Sequence, residues 1–362
     1  MSKARVLIVE DSLTVRRLLC DVVSSDHDLE LVGQAGDGKR AIEMCRELRP
    51  DVLSMDMMLP IMTGVAATEH IMAHFPTPIL IVSASTNRGE LFRTYDALAA
   101  GAVDVLDKPL GTELGDEWGR RYLAALKMAA RIKVITHPRA RLARLGHGAS
   151  EARDDGAATP WSVPAGAPRV AAIGASTGGP GALVDILRAI PAGFPLPLLI
   201  VLHINEPFGA AFADWLDGLT PHRVAYARQD APLAEASGRV VMAPPGRHLV
   251  LAQGRFQLTL GPERHSCRPS IDVLFESLAQ EMGSSVIAGL LTGMGRDGAA
   301  GLLAIRRAGG VTIAQDEATS IVYGMPREAV LLGAAARVLP LPEIGPAIAE
   351  AAGAGARARG RA

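Results

Sequence analysis

Cysteine is scarce in this chain of 362 residues. Only Cys20, Cys45 and Cys267 occur, odd in number and widely spaced. That excludes a disulfide framework and a zinc site built from cysteine alone. Cys20 and Cys45 fall among apolar helix positions and read as small buried hydrophobes. An excess of either charge is also missing: 37 basic residues face 38 acidic ones, a formal net charge of -1. Nothing therefore pulls the chain toward nucleic acid or an anionic membrane, and neither is expected as a partner. No apolar run approaches the roughly 20 residues that span a bilayer. Glu10 and Asp11 follow the first apolar stretch too closely for a signal peptide, so a cytoplasmic protein without membrane insertion is expected. What is present, 49% hydrophobic and 21% charged residues, is the composition of a globular protein. The length calls for two cores.

The first third alternates short apolar strands with amphipathic helices. Strands are expected at 5–9 (RVLIV), 29–35, 51–55 (DVLSM), 79–82 (ILIV) and 102–106, with helices such as 13–23 and 39–48 between them. Such alternation predicts a parallel sheet covered on both faces. From about residue 136 to 168 the sequence turns to Ala, Gly, Pro, Arg and Ser without a period. It reads as a linker with too little apolar surface to offset its ordering entropy. Trp161 inside it is expected to dock on a neighbouring domain. A second α/β segment begins at Arg169, with strands expected at 170–174, 198–203, 240–243, 248–251, 256–260, 286–291 and 311–314. Helices are expected at 181–189, 271–282 and 299–308. The middle strands, separated by Pro-Gly and Gly-Arg turns, suggest a local antiparallel insertion.

In an open parallel sheet, residues just past the carboxyl ends of strands share one crevice. Glu10 and Asp11 follow the first strand and Asp56 ends the third. Ser83 ends the fourth, and Lys108, with Pro109 after it, ends the fifth. Three carboxylates together need a cation, and an oxygen-lined Mg²⁺ site answers that need. Asp56 could then attack phosphorus, with Lys108 and the metal neutralising the phosphoryl group. A single acid at a strand end is usually a solvated turn residue, but five matching positions in order are another matter. The set, with Pro60 and Gly64, resembles the receiver domain of two-component response regulators over residues 3–131.

The strand at 170–173 runs into Gly174-Ala175-Ser176-Thr177-Gly178-Gly179-Pro180 and then a helix. A Gly-x-Ser-x-Gly turn between strand and helix exposes a serine hydroxyl beside helix N–H groups. It could also cradle a phosphate, although no Lys-Ser/Thr follows the glycines and this turn is not a G-x-G-x-x-G. A serine needs a base. His203 ends the next apolar strand and would emerge at the same sheet edge. His248, after Pro244-Pro245-Gly246-Arg247, is its rival. His27, His70 and His74 belong to the first domain, and His137 and His147 to the linker; His222 and His265 are expected on the surface. Asp297, in the Gly-rich loop 292–298 past another buried strand, is either the carboxylate behind the base or a helix N-cap. The order Ser, His, Asp is not that of the α/β-hydrolases.

These stretches carry a closer resemblance. Residues 174–179, the strand ending in His203, Ala243-Pro244-Pro245-Gly246 with His248, Arg268-Pro269-Ser270-Ile271-Asp272, residues 292–299 and Tyr323-Gly324-Met325-Pro326 resemble the catalytic domain of chemotaxis methylesterases, the CheB family. The resemblance covers about 169–351. It implies two α/β domains: a flavodoxin-like receiver with a five-stranded parallel sheet, and a doubly wound, mostly parallel methylesterase domain. The expected limits are 1–132 for the receiver, 133–168 for a flexible linker, 169–352 for the catalytic domain and 353–362 for a disordered tail. It further implies Ser176, His203 and Asp297 as a triad, and an oxyanion hole of backbone N–H groups near Thr177 and Met294. The implied reaction removes methyl from glutamate γ-methyl esters of chemoreceptors, with glutamine deamidation as a related activity and no cofactor for hydrolysis. A CheA-type histidine kinase is the implied phosphoryl donor. Two rivals remain. A DNA-binding output lacks a helix-turn-helix pattern or basic stripe here, and a nucleotide-binding module would use the turn at 174–181.

Overall fold

The computed structural model describes residues 3–84, 87–108, 116–132, 134, 168–204 and 206–359. The expected linker, apart from residues 134 and 168, lies outside them, as do Trp161, His137, His147 and Pro109. The first domain alternates β1 (Ala4–Val9), α1 (Leu13–Ser24), β2 (Leu29–Ala35), α2 (Gly38–Leu48), β3 (Val52–Met55), α3 (Gly64–His74), β4 (Ile79–Ser83), α4 (Arg88–Ala99), β5 (Asp104–Asp107) and α5 (Asp116–Ala129). Ser12, Asp37, Thr63 and Asn87 start α1 to α4, each side chain accepting the N–H three residues on. Those caps satisfy helix donors that would otherwise lack partners. The sheet order is β2-β1-β3-β4-β5, all parallel. The order reverses between β1 and β3, which opens a crevice beyond their carboxyl ends.

The second domain comprises β6 (Val170–Ala175), α6 (Gly179–Ala189), β7 (Leu198–Leu202), α7 (Phe212–Leu219), β8 (Val224–Tyr226), β9 (Val240–Met242), β10 (His248–Ala252), β11 (Arg255–Thr259), α8 (Ile271–Met282), β12 (Val286–Leu290), α9 (Ala299–Arg307), β13 (Val311–Gln315), α10 (Met325–Leu331), β14 (Arg337–Leu339) and α11 (Leu341–Arg359). Its parallel sheet has the order β14-β13-β12-β6-β7-β9-β8. Every residue of β6, β7, β12 and β13 is buried. Strands covered on both faces read as continuous apolar runs, so the sequence located all four.

Three expectations change. The antiparallel insertion is smaller than predicted: β10 and β11 pair as a hairpin, while β9 joins the main sheet parallel to β7 and β8. The edge strands β8 and β14 are three residues each, too short to leave a pattern. The tail expected to be disordered from residue 353 continues α11 to Arg359, consistent with the helix propensity of its alanines and arginines.

The two domains share a core. On α4, Tyr95 is fully buried, its ring edge-on to Phe212 at 5.2 Å and tilted to Trp215 at 5.5 Å. Its hydroxyl donates to the Phe208 carbonyl. Trp215 Nε1 donates to Asp96 Oδ1 at 2.9 Å, and Arg88 pairs with Asp214. A Cβ on Gly181 would lie 3.1 Å from the Ala99 carbonyl oxygen, so α4 and the start of α6 touch by backbone. Removing the central ring should cost about 3–5 kcal/mol, as for a buried aromatic cut to alanine. Tyr95→Ala is therefore expected to separate the domains and enlarge the radius of gyration in small-angle scattering. Tyr95→Phe, which loses only the hydroxyl bond, should stay close to the parent. An unchanged radius for Tyr95→Ala would show that this ring does not anchor the interface.

Candidate functional site

Two sites lie at sheet switch points. In the first domain, Glu10 and Asp56 are 0% and 2% exposed. Lys108 Nζ reaches both, 2.8 Å from Glu10 Oε2 and 3.0 Å from Asp56 Oδ2. Burial raises the Glu10 carboxyl above its ordinary value, Asp56 adds to this, and Lys108 offsets only part. Burial would lower Lys108, but the two carboxylates outweigh it and hold the ammonium above its usual value. Ligand oxygens of Glu10, Asp11 and Asp56 lie within 4.8 Å of one another, and this all-oxygen set fits a hard divalent cation. The buried Ser83 hydroxyl has no hydrogen-bond partner among the described residues. A buried donor left open beside Asp56 and Lys108 suits an incoming phosphoryl oxygen. All five predicted residues thus fall at the carboxyl end of this sheet.

The second site forms where β6, β7 and β12 end. Crowding explains its glycines. A Cβ on Gly174 would meet Ile271 at 2.4 Å, one on Gly179 would meet Leu202 at 2.7 Å, and Gly178 has φ +77°. Ser176 N–H donates to the Thr292 carbonyl at 3.1 Å. A Cβ on Gly293 would lie 2.6 Å from Ser176 Cβ, so the serine turn and the 292–298 loop are in contact. The backbone of His203 extends the β7 ladder by donating to Ala175. That brings its ring to the edge where Ser176 emerges.

Asp297 is 2% exposed and fully engaged. His203 Nε2 lies 2.9 Å from Oδ2. Ser270 Oγ donates to Oδ1 at 2.7 Å, Ile271 N–H to Oδ2 at 2.7 Å and Asp272 N–H to Oδ1 at 3.1 Å. The carboxylate therefore sits on the N-terminus of α8, where free N–H groups and the helix dipole favour an anion. It does not cap its own helix, since Gly298 occupies the N-cap of α9. Burial alone would raise Asp297, but the bonds from His203, Ser270 and Ile271 hold it below the ordinary carboxylate value. Burial works against a charged His203. The hydrogen bonds and charges of Asp297 and Cys267 together outweigh it, and the imidazole is pushed up to about 9.

His248, the rival base, is committed elsewhere. Its Nδ1 accepts from Ser270 N–H at 3.1 Å, its Nε2 meets the Pro262 carbonyl at 3.0 Å, and it is 2% exposed. His222 was expected on the surface, but it is buried against the Leu187 and Ile190 carbonyls; a ring that answers otherwise unpaired carbonyls at a helix end leaves no periodic signal. His265 is exposed.

Ser176, Thr177 and His203 line a cavity of about 140 Å³ whose opposite wall is Leu98, Val103, Asp104 and Val105 of the first domain. The docked first domain thus covers the serine. Burial pushes Asp104 up to about 6, against the bond from Val105 N–H. Met294 is 42% exposed and lines a neighbouring cleft between α5 and the 317–323 loop. Thr292, given no role of its own in the sequence, donates through Oγ1 to the Thr177 carbonyl and accepts from Val322 N–H, both at 2.9 Å, which ties three loops together. Ser270 and Cys267 were also missed as site residues; Ser270 stood only within the 268–272 stretch, and the structure shows it capping α8.

Comparison with known proteins identifies both domains. The profile described as CheB methylesterase matches residues 171–348, and that of the response regulator receiver domain matches 6–115. A protein-glutamate methylesterase/protein-glutamine glutaminase of Anaeromyxobacter dehalogenans is 45% identical over 96% of this chain and 96% of its own. One from Nitrosospira multiformis is 43% identical over 95% of each, and one from Myxococcus xanthus is 40% identical over 94% of each. Relatives this similar over nearly the full length of both chains establish that this chain belongs to the CheB methylesterase family.

Proposed function

We propose that this chain is a phosphorylation-regulated protein-glutamate methylesterase and protein-glutamine glutaminase in which Ser176 is the nucleophile, His203 its base and Asp297 the carboxylate behind the base. The observation that carries this reading is the 2.9 Å bond from His203 Nε2 to a carboxylate seated on a helix N-terminus, beside the cavity that Ser176 lines. Because Nε2 is committed to Asp297, Nδ1 is the nitrogen left to take a proton. Serine proteases use the ring the other way round. Ser176 Oγ adds to the ester carbonyl carbon as its proton passes to Nδ1. N–H groups near Thr177 and Met294 receive the oxyanion. Collapse breaks the C–O bond, and the departing methoxide takes the proton from the imidazolium and leaves as methanol. Water then repeats the sequence on the acyl-serine and frees the γ-carboxylic acid. With glutamine the leaving group is ammonia.

The substrates proposed are the cytoplasmic domains of chemoreceptors, and the phosphoryl donor a CheA-type histidine kinase, which places the reaction in the cytoplasm. Among the described residues no helix is long and apolar enough to cross a membrane. Glu10, Asp11 and Asp56 would hold Mg²⁺, which supplies charge neutralisation for the phosphoryl group when bound. Asp56 is the proposed phosphorylation site, with Ser83 and Lys108 as its partners. Covering of the Ser176 cavity by the receiver supports a restrained resting state. Phosphorylation would bias the interface through the strand ends that lead into α4 and β5. A tenfold activation needs only about 1.4 kcal/mol, within usual coupling energies.

Ser176→Ala should reduce methanol release from methylated receptor membranes by on the order of a million-fold, the loss seen for a triad nucleophile; near-normal release would remove Ser176 from this role. The raised His203 sets the pH dependence. Below about 9 the imidazole is protonated and cannot act as base, so kcat/KM should climb with pH through neutrality toward that value. Asp297→Asn, which removes the main raising influence, should move the remaining activity's profile to lower pH. A parent profile already flat above 6.5 would show that Asp297 does not raise the base in this way. A phosphoryl donor with Mg²⁺ should raise the rate of the intact chain and leave Asp56→Ala unaffected. An equal response from both proteins would exclude Asp56 as the acceptor.

A further inference from the structure

Cys267 stands next to the base with no part in the proposed chemistry. Its Sγ is 3.6 Å from His203 Nδ1. A tetrahedral zinc ion with bonds of about 2.0 Å to nitrogen and about 2.3 Å to sulfur holds those two atoms about 3.5 Å apart. The pair is therefore already at chelating distance. Its ring partner is suited too: Asp297 Oδ2 accepts from Nε2, which fixes the tautomer and leaves the Nδ1 lone pair toward the thiol. A carboxylate behind a ligating histidine is the usual support of a protein-bound zinc ion. Ligand atoms of His203, Cys267 and Asp297 all lie within 4.8 Å of one another.

The thiol is held in place rather than hanging from a mobile loop. Arg264 and Cys267 exchange both backbone hydrogen bonds, at 3.2 and 2.9 Å. The two residues between them, His265 and Ser266, take left-handed φ values of 52° and 59°, closing a tight turn. The nearby cations are engaged: Arg264 pairs with Glu276, and Arg296 Nε donates to His265 Nδ1. Cys267 is only partly buried, whereas Cys20 and Cys45 are buried in the receiver.

We propose that His203 Nδ1 and Cys267 Sγ form a binding site for a thiophilic divalent cation, Zn²⁺ foremost, and that its occupation reversibly inhibits the esterase. The inhibitory half rests on His203 being the base. Binding converts the thiol to thiolate and releases its proton, with any proton on Nδ1, to solvent; no electrons move. Nδ1 then has no lone pair for the Ser176 proton. Two protein ligands with water in the open positions make a dissociable site, fewer than the three or four of resident zinc.

The test uses the intact protein and the metals alone. Co²⁺ should produce a thiolate-to-cobalt charge-transfer band that disappears in Cys267→Ser and weakens in His203→Gln. Metal at the all-oxygen receiver cluster gives no such band. In metal-buffered assays Zn²⁺ should suppress methanol release, and a chelator should restore it. Cys267→Ser, measured against its own zinc-free rate, should need at least about tenfold more Zn²⁺ for half-inhibition, the loss that even an outer partner of a zinc ligand brings. Absence of the thiolate band, or equal zinc sensitivity of parent and Cys267→Ser, would overturn the proposal. A normal band with no hydrolysis in any form would instead sink the esterase roles and leave the metal site standing.

Discussion

Asp297 receives four hydrogen bonds, from the Ser270 hydroxyl, two N–H groups at the start of α8 and the His203 ring, and the second site is organised around it. A carboxylate buried to 2% exposure would be strongly unfavourable without partners. The helix N-terminus supplies them and keeps the group ionised. The same group orients the imidazole and raises its affinity for a proton. Remove the α8 N-terminus and the acid would keep only the His203 ring to hold it charged; remove the acid and the ring would lose both its tautomer and its direction. Asp297 thus couples three elements distant in sequence: β7 through His203, α8 through Ser270, and the loop after β12.

Both domains place chemistry by one device. A parallel sheet whose strand order reverses leaves a crevice at the carboxyl ends of its central strands. In the receiver that crevice gathers Glu10, Asp56, Ser83 and Lys108; in the second domain it gathers Ser176, His203 and the 292–298 loop. The domains dock so that Leu98, Val103, Asp104 and Val105 of the receiver wall the serine's cavity. Strand β5 ends beside Lys108 and begins at Asp104, so the segment that senses one site borders the other. Tyr95, packed on Phe212 and Trp215, makes α4 the mechanical contact between them.

Much of this was legible in the chain. The five strands of the receiver followed from alternating apolar runs, and its acid cluster from five residues at strand ends. Ser176 was marked by glycines whose necessity is now visible as close contacts with Ile271, Leu202 and Ile321. His203 was marked by ending an apolar strand. What stayed hidden lacked any periodic signal: three-residue edge strands, the helix running on through 353–359, and the buried His222. The choice between His203 and His248 was open in the sequence because both sit at the edge of an apolar stretch.

By itself the sequence determined the two α/β layers, the strand-end positions of the acids and lysine, and the crowded turn that holds Ser176, because periodicity and glycine are local properties. Tertiary structure alone decided which histidine is free, since that depends on Ser270 N–H and the Pro262 carbonyl claiming both nitrogens of His248. It alone decided that Asp297 serves the N-terminus of α8 rather than its own helix. It alone brought Cys267 to His203 and laid the receiver over the serine. Each of these is a contact between segments tens to more than a hundred residues apart, and hydrogen-bond partners at that separation leave no spacing for a linear pattern to record.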